Sequence, residues 1–153
     1  MIRYWLTPAP DDQFDEKVDD INSLYQQAIN LAQKGEVVMS IDEMTGVQAL
    51  ERKHLGLPMA PEKVERREFE YIRHGTQSFI VSFAVAKGKV DTISCGDTRN
   101  EDDFVSHIKE VVESSLSTSR WHFVADNLNI HKSESLVRYV ADVSYLDIDL
   151  GIK

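Results

Sequence analysis

The sequence predicts an α/β chain built on a mixed sheet, and three observations predict it. VVMSI (37–41) and RWHFVADN (120–127) are dense apolar runs, the mark of strands covered on both faces. FIVSFAVA (79–86) and KVDTIS (89–94) flank Lys87-Gly88, which is the pattern of an antiparallel hairpin. Between that hairpin and the second apolar run lies an amphipathic stretch long enough for a helical crossover between parallel strands.

Taken in order, residues 11–36 place Val18, Ile21, Leu24, Ala28 and Leu31 at steps of three and four, with acids in front and Gly35 behind. An amphipathic helix with a glycine stop is expected. After the strand at 37–41, the apolar periodicity from 44 to 76 is weak, and Gly56, Pro58 and Pro61 interrupt it. This predicts a long irregular excursion with one short strand near 68–72; long loops in compact domains are often functional. Beyond the hairpin, Thr98 stands three residues ahead of Glu101 as a capping box, and Phe104, Ile108, Val111, Val112 and Ser115 trace one helical face. The strand at 120–127 ends on an acid. A shorter helix over about 133–141 and a last strand in VSYLDIDL complete the chain.

The 153 residues fit a single domain, 1–153, with no linker, internal repeat or low-complexity tract. Hydrophobic residues at 42% and charged residues at 28% exclude a disordered chain. Cys95 is the only cysteine, so an internal disulfide and a cysteine-based zinc site are excluded, which suits a reducing cytosol. No apolar run approaches a membrane span and the start lacks a signal-peptide pattern, so a cytoplasmic protein without a membrane partner is expected.

A net charge of −9 argues against a surface that grips nucleic acid as a whole. Locally, EKVERREFEYIRH (62–74) gathers Lys63, Arg66, Arg67, Arg73 and His74 among four glutamates; a solvated face of paired charges is the alternative reading. Trp5 and Trp121 are assigned to packing, and Gln48 and Arg52 carry no assignment.

Asp42 and Asp126 each follow an apolar run and each precede a polar residue, Glu43 and Asn127. Were the two strands parallel neighbours, both acids would emerge at carboxyl ends along one sheet edge, where ligand sites of open α/β sheets form. Carboxylates held together there repel unless a hard cation sits between them, and oxygen ligands select Mg²⁺ or Mn²⁺. The alternative for either acid alone is a turn former or helix cap.

SIDEMTGVQALERK, VERREFEYIRHGTQSFI, TRNEDDFVSHI and WHFVADNLNIHKSESLVRYVAD occur here in the order in which similar motifs stand in bacterial insertion-sequence transposases of the mariner-like DDE superfamily. The chain resembles the catalytic domain of those enzymes from about Tyr4 to Lys153. The resemblance implies an RNase H-like fold: a mixed five-stranded sheet, order 3-2-1-4-5, flanked by helices. It also implies a triad of acids that binds up to two Mg²⁺ (or Mn²⁺) ions. Asp42 falls at the first of these acids and Asp126 at the second. The third, a glutamate in a motif like SWLNQIE, has no counterpart, so the C-terminal part is expected to be incomplete, as is the N-terminal helix-turn-helix segment. Asp147 and Asp149, on the last predicted strand, are not expected to substitute.

The same resemblance implies Mg²⁺-dependent cleavage and strand transfer of DNA in transposition, with transposon ends and target DNA as partners. The missing acid makes that activity weak or absent. The alternative is a non-enzymatic remnant, or a dominant-negative inhibitor that pairs with intact transposase, since the family acts as dimers in the bacterial cytoplasm. Glu43 is expected to orient a metal-bound water or else to cap its strand. Asn127 and His131 are expected to face the scissile phosphate, or else to be a turn asparagine and a histidine at a helix start. Arg66, Arg67, Arg73 and His74 are expected to contact the DNA backbone.

Overall fold

The computed structural model describes residues 12–149 and 151. Helix α1 (Phe14–Gln33) leads into strand β1 (Glu36–Arg52), which turns back as β2 (Tyr71–Ala84); a single 3-10 turn, Val85–Lys87, then delivers β3 (Lys89–Gly96). Helix α2 (Glu101–Glu113), strand β4 (Arg120–Val124), a 3-10 turn at Asn129–Lys132 and helix α3 (Glu134–Val143) follow. The strands lie in the order β3-β2-β1-β4. β1 is antiparallel to β2, from Met39↔Ala84 to Arg52↔Tyr71, and parallel to β4, from Glu36↔Arg120 to Ser40↔Val124. This is a mixed α/β sheet, with its four strands in the order expected for the first four. Among the described residues no helix is long and apolar enough to cross a membrane.

Successive side chains of a strand point to opposite faces, so β1 sorts its own layers. Ser40 faces α1, where it meets the Tyr25 hydroxyl at 3.2 Å. Ile41 faces the other way, into a core shared with Ile80, Phe104 and Ile108; Phe123, Leu136 and Tyr139 pack against it. Met39, Ala84 and Val111 continue that core, with Trp121 stacked on Phe123 at its border. Burying each large apolar side chain contributes about 1.5–3 kcal/mol, so the α2 face is the main source of cohesion. On the α1 face, Ala28 is buried, Leu24 and Leu31 are half-covered, and Val18 and Ile21 remain exposed. Trp5 lies outside the described residues.

Three expectations are corrected. The irregular excursion is much shorter than 44–76, because β1 runs on to Arg52 and β2 starts at Tyr71, leaving only 53–70 as the tip. No residue from 44 to 77 is buried, so a ribbon wet on both faces had no apolar periodicity to show. At α2 the capping residue is Asn100, not Thr98. The Asn100 Oδ1 accepts from the N–H groups of Asp102 and Asp103, and the Asp103 carboxylate accepts in return from the Asn100 N–H and the Thr98 hydroxyl. Finally, four strands form among the described residues, and VSYLDIDL contributes none. α3 runs through Val143, and Tyr145, at φ 54, reverses the chain so that the N–H groups of Tyr145 and Leu146 return to the Asp142 and Ala141 carbonyls. β4 is therefore the sheet edge, beside an apolar cavity of about 630 Å³ between α2, β4 and α3.

A polar network centred on His107 sits in the core. His107 is fully buried, with Ser82 Oγ 2.7 Å from Nε2 and Ser94 Oγ 2.6 Å from Nδ1. Ser94 donates its own proton to Glu110, at 3.2 Å, so it accepts from the ring; Nδ1 carries the hydrogen, and Nε2 accepts from Ser82. Burial holds the His107 pKa below its ordinary value, although Glu110 and Glu43 pull the other way. An unfolded histidine takes up its proton at the ordinary value and the folded one does not. The stability from this network is therefore complete above that value and lost as pH falls below it. Replacing His107 with Leu strands the buried Ser82 hydroxyl and costs roughly 1–3 kcal/mol. Urea unfolding at a series of pH values will show this loss at neutral pH and a weaker acid sensitivity in the variant.

A candidate carboxylate and histidine site beside the parallel strands

The last registered pair of β1 and β4 is Ser40↔Val124, and Asp42 and Asp126 each stand two residues beyond it. Past this point the strands part. β1 continues along β2, with Asp42 opposite Val81, whereas β4 stops at Val124. Asp126 then folds the chain: its Oδ1 accepts from the Leu128 N–H at 2.9 Å, and the 3-10 turn at Asn129–Lys132 brings His131 back beneath it. Ser133 closes the loop as the cap of α3, accepting from the Leu136 N–H.

His131 is the centre of the loop. Its Nδ1 lies 2.9 Å from the Asp126 carbonyl and 3.1 Å from the Asp126 Oδ1, and its Nε2 lies 2.7 Å from Glu43 Oε1. The Glu43 and His131 side chains are only 3% and 7% exposed, so this ion pair is shielded from water. A carbonyl oxygen can only accept, and so can a carboxylate, so both ring nitrogens donate and the ring is an imidazolium. Burial alone would disfavour that charge. The Asp126 carbonyl and the Glu43 carboxylate reverse its effect and raise the His131 pKa above the ordinary value. The pair therefore contributes fully at acid pH and weakens as pH rises through that raised value. Phe104 closes the site from α2, its ring centroid 4.3 Å from that of His131.

Glu43, Asp126 and His131 each bring one ligand atom within 4.8 Å of the others. Glu43 reaches this cluster because it shares the Met39 and Ile41 face of β1. Asp42 belongs by the pleat to the other face and is exposed, its Oδ1 accepting from the Glu43 N–H at 2.9 Å. An imidazolium has no lone pair for a metal. The oxygens open to a hard cation are those of Asp126, whose side chain is 66% exposed, and of Asp42. Carboxylate oxygens are the donors that suit Mg²⁺ or Mn²⁺; Asp42 lies outside the cluster of Glu43, Asp126 and His131. Asn127 is exposed at the turn.

The ribbon residues divide. Arg67 pairs with Glu65 at 2.8 Å and His74 with Glu51 at 2.6 Å, whereas Arg66 and Arg73 make no ion pair among the described residues. The Glu43–His131 bond was not foreseen from the sequence, because nothing in the spacing of two residues so far apart reports a buried bond. The one available signal was that Glu43 continues, at a step of two, the strand face of the buried Met39 and Ile41.

The DDE superfamily endonuclease profile matches residues 37–147, which include Asp42, Glu43, Asp126 and His131. The chain belongs to this family. No curated protein matches it significantly. Among solved structures it is similar to the Mos1 mariner paired end complex with Mn, at 12% identity and a TM-score of 0.44, covering 94% of this chain and 45% of that one. It is also similar to the Mos1 strand transfer complex, at 12% identity and a TM-score of 0.40, covering 94% and 44%. This chain thus spans under half the length of those it matches.

Glu43→Ala strips a buried imidazolium of its counter-charge and will cost about 3–5 kcal/mol. In a double-mutant cycle with His131→Ala, the two losses will fall short of additivity by about 0.5–3 kcal/mol, as measured by urea unfolding below neutral pH.

Proposed function

We propose that this family member is a metal-dependent DNA strand-cleaving and strand-transferring core, acting on transposon ends, with Asp42 and Asp126 as its metal ligands. The observation that supports the reading is the register of β1 and β4, past whose last parallel pair, Ser40↔Val124, Asp42 and Asp126 each stand two residues on, inside the matched region. Mg²⁺ or Mn²⁺ held there would activate an attacking oxygen and neutralise charge on the leaving one.

The chain's own groups have separate tasks. Asp42 and Asp126 supply oxygens. Glu43 holds His131, and His131 holds the Asp126 carbonyl, so the second acid is fixed relative to the first through hydrogen bonds rather than through a rigid strand. The exposed Asn127 amide is available to donate to a phosphate oxygen. A second reading is a non-catalytic partner that associates with intact transposase.

A labelled duplex carrying the inverted repeats that flank the coding sequence, incubated with the chain and Mn²⁺, will be nicked. Asp42→Asn and Asp126→Asn will each reduce nicking by roughly a hundredfold or more and abolish Mn²⁺ binding in calorimetry. Nicking and Mn²⁺ binding that survive both changes would remove this assignment. Mn²⁺ binding without any nicking, together with inhibition of a full-length relative, would establish the second reading.

A further inference from the structure

From Val47↔Gln77 outward, β1 and β2 are paired only with each other, as a two-stranded ribbon in which no residue from 44 to 77 is buried. Its register sorts the side chains by face. Leu50↔Arg73 and Arg52↔Tyr71 are directly opposed pairs and share one face, while Glu51↔Ile72 lies on the other. On the Glu51 face, His74 Nε2 lies 2.6 Å from Glu51 and Lys53 pairs with Glu70 at 2.7 Å. The first face carries no carboxylate among these residues, and neither Arg52 nor Arg73 makes an ion pair among the described residues. Glu68, the acid ahead of this segment, is folded onto its own backbone, accepting from the N–H groups of Phe69 and Glu70.

We infer that the face formed by Leu50, Arg52, Tyr71 and Arg73 is a contact surface for the sugar-phosphate backbone of DNA; this rests on the DNA-processing reading above. In a chain of net charge −9, two diagonal guanidiniums without acids form a local basic patch. Each presents a planar fork that fits a phosphate through two hydrogen bonds. Tyr71, 54% exposed, adds a hydroxyl donor of the kind that contacts phosphate oxygens, and Leu50 supports the arginine stems. The occupant is nucleic acid rather than protein by charge complementarity: the charged groups of the face, Arg52 and Arg73, only donate, and the phosphates of the DNA backbone only accept.

The test compares two variants of equal charge, Arg52→Gln/Arg73→Gln and Lys53→Gln/Lys87→Gln, for binding of a short fluorescein-labelled duplex at a series of salt concentrations. Circular dichroism confirms that both fold. The arginine variant is expected to reduce the slope of log affinity against log salt by about 0.9 for each phosphate left without its guanidinium, about 1.8 in all, and Arg52→Lys/Arg73→Lys to restore it. The lysine variant is expected to keep the wild-type slope. An equal fall in both variants, or no change in either, overturns this surface while DNA binding stands. No DNA binding by the wild-type chain overturns the DNA reading along with it, whatever Mn²⁺ does at Asp42 and Asp126. A wild-type dimer in sedimentation that dissociates in the arginine variant, at unchanged DNA affinity, overturns it in favour of a protein contact.

Discussion

The parallel pairing of β1 with β4 is the constraint on which the rest of the structure depends. Five residue pairs, Glu36↔Arg120 to Ser40↔Val124, join two segments far apart along the chain. Parallel neighbours need a long connection, and everything between them is that connection: the ribbon, the β2–β3 hairpin and α2. Because α2 crosses over one face, it covers Ile41 and Ile80 with Phe104 and Ile108, and the same face of β1 turns Glu43 inward. The site is thus a by-product of how the sheet is closed. The strand that must bury Met39 and Ile41 has no choice about the direction of Glu43.

How the two acids differ follows from that alternation. Asp42 and Glu43 are neighbours in sequence with opposite surroundings, one in water and one almost sealed. A sealed carboxylate needs a partner, since burying an isolated charge costs far more than burying a paired one. His131 supplies it. The exposed acid has no such requirement, because water solvates it. A pair of adjacent acids in a motif therefore need not share an environment: one serves the fold of the loop and the other faces solvent.

The sequence reading held where burial shaped composition. Val38, Met39 and Ile41 announce a buried strand, Phe104, Ile108 and Val111 a helix face, and Lys87-Gly88 a reversal, the last with Gly88 at φ 63. It failed where burial was absent. The outer halves of β1 and β2 are exposed on both faces, so their only organising force is backbone pairing, which leaves no trace in apolar spacing. The alternating pattern of Leu146, Asp147, Ile148 and Asp149 suggested a strand, but alternation identifies a strand only when there is a partner edge in reach and a chain free to follow it. The reversal at Tyr145 sets the direction instead. At the site, the place of Asp126 past its strand was readable from the apolar run before it, whereas Asp42, expected at a strand end, lies inside β1 because that strand runs on to Arg52 along β2. The Glu43–His131 bond depended on a turn whose shape the sequence did not report.

That bond also raises the question of why an ion pair should occupy a place where apolar residues would pack. Replacing a buried pair with well-fitted hydrophobic groups is often neutral or stabilising, so net stability is a poor explanation for it. Position is a better one. An apolar contact between β1 and the 129–132 turn would tolerate sliding and rotation, because dispersion is nearly indifferent to angle. The imidazolium is not indifferent: it must satisfy the Glu43 carboxylate on one side and the Asp126 carbonyl on the other, with 2.7 Å and 2.9 Å contacts at fixed ends of a rigid ring. The spacing between β1 and the backbone of Asp126 is thereby set by the width of an imidazole. For a carboxylate that stands beyond the end of its strand, where ladder hydrogen bonds no longer fix it, this is the support that the sheet itself does not provide.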